Sequence, residues 1–129
     1  MSLSEQELES HETLRLISAD KVEGTPVKNS LGDKLGTIDK VMIDKCSGKV
    51  AYAVMSFGGF LGMGESRHPL PWHVLTYDTE LDGYVVDIDK DKLRKAPHFD
   101  PDEDVAWGNE AWDRRVHDYY GVQPYWTTP

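Results

Sequence analysis

The chain has 129 residues and 14.6 kDa, one domain's worth of sequence. With 39% hydrophobic residues it is long enough to bury a core, and its single cysteine, Cys46, excludes a disulfide-dense scaffold. A net charge of −9 without any Lys/Arg cluster argues against nucleic-acid or anionic-membrane binding, and no apolar run approaches the ~20 residues of a membrane span.

The charge is unevenly placed. Residues 1–20 hold one basic and five acidic side chains, and residues 96–129 hold two basic and seven acidic. The remainder balances to zero, so a neutral body lies between two acidic ends. Such ends keep a small domain soluble, or offer an acidic docking surface to a basic partner. Glu5, Glu7, Glu9 and Glu12 stand where a secretory signal would need basic residues, so the expected location is the cytoplasm.

Residues 1–13 read as a polar, acidic tail. Leu14, Leu16 and Ile17 open the apolar body, and Ser18 is placed to cap a helical turn ended by Gly24. From Thr25 the pattern is strand and turn. Thr25-Pro26-Val27-Lys28 predicts a short strand, with proline at its start or on an edge. Lys34 to Lys45 predicts another. Its apolar period slips between Ile38 and Val41, which predicts a β-bulge at Asp39-Lys40. Cys46-Ser47-Gly48 closes a hairpin into Lys49–Phe57, apolar on both faces and therefore a covered, central strand.

Gly58 to Gly64 interrupts the strands. The segment lacks the Lys-Ser/Thr of a phosphate loop and the glycine spacing of a dinucleotide site. It is either a turn-forming connection or a contact loop presenting Phe60, Leu61 and Met63. His68-Pro69-Leu70-Pro71-Trp72 must be extended, because each proline bars its predecessor from the helical region. Val74–Asp78 and Gly83–Ile88 form a hairpin through Asp82-Gly83. The carboxylates of Asp78, Glu80 and Asp82 fit that turn rather than a calcium loop, which helices would have to flank. Asp89–Arg94 predicts one helical turn.

The last third changes character. Asp100-Pro101-Asp102-Glu103 reads as a capping box for a helix running past Trp107 and Trp112 to Tyr119 or Tyr120, with Gly108 as a place to split and Gly121 as the stop. Trp112, Val116 and Tyr119/Tyr120 form an apolar stripe, and Tyr125 and Trp126 follow. This stripe must be covered by the body of the protein, a second copy or a different chain. His11, His98 and His117 fall in the acidic ends and are expected at the surface. His68 and His73 lie on opposite faces of an extended segment, so no metal centre is expected. Cys46 reads as an ordinary turn thiol. No nucleophile, base and orienting group fall together, so neither catalytic residues nor a cofactor are assigned.

The stretches Asp20–Val27, Leu35–Asp44, Ser47–Val54 and His68–Trp72, taken in order and spacing, resemble the PRC-barrel family over about residues 14–95. The resemblance implies an accessory β-barrel. Known members include the cytoplasmic domain of the photosynthetic reaction-centre H subunit and the C-terminal domain of a ribosome maturation factor, both of which dock onto larger assemblies. The H subunit's proton-conducting carboxylates lie outside the matched strands, so none is carried over. The expected fold is mainly β: a small antiparallel β-barrel of about six strands over residues 14–97, followed by a C-terminal α-helix and aromatic tail over 98–129. The expected function is a non-enzymatic adaptor that docks onto a protein partner, as a homodimer, through Phe60, Leu61, Met63, Trp107, Trp112, Tyr119, Tyr120 and Trp126. A small-ligand or metal-binding barrel is the alternative from the residues. The resemblance adds an accessory role in photosynthetic electron transfer.

Overall fold

The computed structural model describes residues 16–58, 65–101, 103 and 107–127. A helical turn, α1 (Ala19–Val22), leads into six strands: β1 (Pro26–Lys28), β2 (Lys34–Ile43), β3 (Val50–Gly58), β4 (Glu65–Pro71), β5 (Thr76–Asp78) and β6 (Gly83–Val85). Two helices follow, α2 (Lys90–Arg94) and α3 (Glu110–Tyr120), and 3-10 turns lie at Trp72–Val74 and Tyr125–Thr127. Candidate residues Phe60, Leu61 and Met63 lie outside the described residues.

The strands form one sheet in the order β4-β3-β2-β1-β6-β5. Every neighbouring pair is antiparallel except β1 with β6, which run parallel, Val27 opposite Tyr84. The expectation of a mostly antiparallel barrel is therefore corrected in its closure: one of the five pairings is parallel, and β4 and β5 remain the two edges of a mixed sheet. It is nonetheless strongly curled. Six strands laid flat would span about 24 Å at the usual interstrand spacing. Pro71 ends β4 and Thr76 starts β5 on the opposite edge, and the chain between them reaches at most ~17 Å.

Proline explains why the seam stays open. Arg67 turns its N–H and C=O away from β3, where they bond the carbonyl and amide of Phe99 at 2.8 and 3.0 Å. By the two-residue period of a strand, Pro69 and Pro71 face the same outer edge. Neither has an N–H, so the outer side of β4 cannot donate a continuous ladder to β5. The two prolines, both almost fully buried, therefore end the ladder on the outer side of β4 and leave its pairing with β3 intact.

The bulge in β2 falls where the period slips: pairing with β3 shifts register between Ile38 and Lys40. It lets Ile38 and Val41 reach the inner core while Met42 turns to the outer face. Gly36 serves the same β2–β3 contact, since a Cβ there would stand 2.1 Å from the Ser56 carbonyl oxygen. β3 is covered on both sides, with Ala51 to Met55 all buried. Inside the curl, Val27, Ile38, Ala53, Met55, Leu70, Tyr84 and Leu93 form the main core. Outside it, Tyr52 and Ala51 meet Val116 of α3.

α3 begins later than the capping-box reading predicts. Asp100 and Glu103 do bond reciprocally, at 3.0 and 3.2 Å, but they close a turn. Gly108 takes φ +90°, which ends any helical course there, and Asn109 caps α3 by accepting from the Trp112 amide at 3.1 Å. Gly121 stops the helix as expected. At α1 the Ser18 side chain makes no capping bond. At α2 the cap is Asp89, accepting from the Lys92 amide at 2.7 Å. In the β5–β6 hairpin, Asp78 accepts from the Glu80 and Leu81 amides and Asp82 from the Tyr77 hydroxyl, so both carboxylates serve the turn.

Candidate interaction surface

An aromatic layer lies over the outer face of β2 and β3. It is built on Tyr52, whose ring meets Trp107 at 5.7 Å, His117 at 5.3 Å and Tyr125 at 6.0 Å between centroids. Trp107 in turn stands edge-on to Phe99 at 5.9 Å and to Trp112 at 5.4 Å. Edge-to-face packing of this kind adds favourable quadrupole contacts to area burial. The helix supplies the layer because Asp113, Val116, His117 and Tyr120 recur at the spacing of one helical face.

That face differs from the stripe predicted. Tyr120 and Val116 belong to it, but Trp112 flanks it and two polar residues complete it. His117, expected at the surface, is 1% exposed, and Asp113 is 3% exposed. His117 Nδ1–H donates to the Asp113 carbonyl oxygen at 2.7 Å, and the Tyr52 hydroxyl lies 3.4 Å from the same nitrogen. Asp113 Oδ1 is buried without a hydrogen-bond partner among the described residues. Burial raises the Asp113 carboxyl above its ordinary range, opposed by the Tyr52 hydroxyl and by His117. Burial and the nearby Asp113 charge also push the Tyr52 phenol strongly up, so it stays protonated.

The candidate aromatics part company here. Trp107 and Trp112 are half-buried against the Tyr52 face. Tyr120 touches both the inner and the outer cores, and burial drives its hydroxyl strongly up. Tyr119 is half-buried, with its hydroxyl donating to the Lys92 carbonyl and the Lys92 ammonium 6.0 Å from its ring centre. Trp126 faces outward at 38% exposure, with the Arg114 guanidinium 5.8 Å over its ring and Tyr125 edge-on at 5.1 Å. Arg114 is itself held by Glu110 at 2.9 Å. Burial, and then the charges of Asp113 and Asp44, raise the Tyr125 hydroxyl above its ordinary range. Ile43, at the end of β2, is 52% exposed.

Among the described residues no three His, Cys, Asp or Glu side chains come together to hold a metal ion, and no helix is long and apolar enough to cross a membrane. The polar residues that sequence reasoning missed, Asp113 and His117, carried one signal: their spacing of four places both beside Val116 on the packing side of α3.

No curated protein matches the chain. The PRC-barrel domain matches residues 15–93, which takes in all six strands and leaves α3 and the aromatic layer outside the match. With well over half its length matched in this way, and with a curled six-stranded sheet to correspond, the chain belongs to the PRC-barrel domain family.

Proposed function

We propose that the chain is a non-catalytic adaptor that docks onto a protein partner through the outer aromatic layer, and that it does so as a homodimer. The observation that carries this reading is the filling of the curled sheet. Val27, Ala53, Met55, Leu70 and Leu93 are each 0% exposed. A curled sheet filled by its own side chains leaves little interior for a ligand, so recognition falls to the surface. On that surface Trp126, with Arg114 over its ring and Tyr125 edge-on beside it, has the composition of an interface anchor.

The test is chemical cross-linking with affinity capture from cells that make the protein, together with its mass by light scattering at micromolar concentration. Replacing Trp126 and Ile43 by serine is expected to abolish partner recovery and to halve the mass. A monomeric native mass removes the homodimer, and unchanged recovery removes this face from the contact. The pair Phe60→Ser and Leu61→Ser tests the glycine-rich segment in the same assay.

A further inference from the structure

We propose that the segment carrying His98 and Phe99 is an acid-released clip over the outer edge of β4, with His68 as the proton acceptor that releases it.

The argument starts from hydrogen bonds. The Ser66 hydroxyl donates to the Phe57 carbonyl at 3.3 Å, so the 2.9 Å contact between Ser66 and His68 is donated by His68 Nε2–H. This leaves Nδ1 as the bare nitrogen, buried and without a hydrogen-bond partner among the described residues. A proton added there would become a buried N–H with nothing to bond, on a ring 1% exposed. The closed structure therefore resists protonation of His68 at the one atom able to accept it.

Two rings lie against that of His68. His98 stacks on it at 5.0 Å and 25°, held in place by its own Nδ1–H donating to the Ala96 carbonyl at 2.8 Å. Phe57 stands edge-on at 5.2 Å. One residue beyond His98, the two Arg67–Phe99 bonds form an isolated bridge. Breaking that bridge and the stack hydrates His68 without disturbing the β3 ladder. The titratable and charged groups beside the site are His98, stacked on the ring, and the adjacent Arg67 with its partners Asp39 and Glu65. Burial, with the adjoining His98 adding to it, holds the His68 ring down to about 4. Once open, the ring regains its ordinary value of 6.5. Opening is then linked to proton uptake, and its equilibrium constant rises roughly 20-fold from pH 7 to pH 5. Because Phe99 also packs on Trp107, release of the clip loosens the edge of the aromatic layer.

Amide hydrogen exchange on the full chain, expressed as protection factors to remove the intrinsic pH dependence, tests this. The amides of Arg67 and Phe99 are expected to lose roughly 20-fold protection between pH 7 and pH 5, while Val54 and Met55 in the β3 ladder keep theirs. His68→Gln is expected to flatten the response at Arg67 and Phe99. Equal protection at the two pH values overturns the proposal. So does a loss shared with Val54 and Met55, which is global unfolding, or an undiminished loss in the His68→Gln protein.

Discussion

Burial acts on His68 and Asp113 in opposite senses of pH. Folded His68 takes a proton near 4 and the unfolded residue near 6.5, so acid favours the unfolded chain. The stability it contributes is whole above pH 6.5 and is lost as pH falls toward 4, by at most ~3 kcal/mol. Asp113 is shifted up, so its folded form gains as the carboxyl protonates and loses as pH rises. An NMR titration of the folded protein is expected to place the His68 ring near 4, and urea unfolding to show the midpoint falling below pH 6.5. A ring titrating at its ordinary value would mean that His98 does not cover it. The burial of Asp113 and His117 was not legible from sequence, for a physical reason. A polar residue on a helix is buried or exposed according to which face docks, and the docking face of α3 is set by its contact with Tyr52 of β3.

The same limit operates at the level of the element. Signals that depend on neighbours in sequence were readable: the β2 bulge, the Asp82-Gly83 hairpin, the doubly covered β3 and the Gly121 stop. The start of α3 was not, because Asp100-Pro101-Asp102-Glu103 and Gly108-Asn109 are competing starts, and the left-handed turn at Gly108 favours the second. Asn109→Ala is therefore expected to cost ~1 kcal/mol in urea unfolding. Asp100→Ala, which retains the backbone half of its turn, is expected to cost less than ~0.5 kcal/mol. The reverse order would put the helix start at the earlier box. The candidate contact residues divide on similar grounds. Four of the five described aromatics are half-buried against the sheet or α2, and Trp126 alone among those five is classed as exposed.

For the molecule as a whole, the decisive feature is how its sheet ends. From sequence the prolines of β4 mark an extended segment, but their common orientation appears only once pairing with β3 fixes which side of the strand faces out. The parallel contact of β1 with β6 was equally hidden, since it joins segments far apart in the chain. Both prolines are almost fully buried at that edge, so donors restored there would be N–H groups without a ladder partner. Pro69→Val with Pro71→Val is expected to keep the β3 pairing and to lower the midpoint of urea unfolding. An unchanged midpoint would show that the new donors find acceptors across the seam.

The parallel seam also orders events during synthesis. β2, β3 and β4 can zip together as successive hairpins while the chain is still emerging. β1 meanwhile has one flank vacant until Tyr84 and Val85 arrive to fill it. A nascent chain interrupted before that point carries an exposed strand margin beside its partly formed core, which makes late arrest more hazardous for this protein than slow initiation.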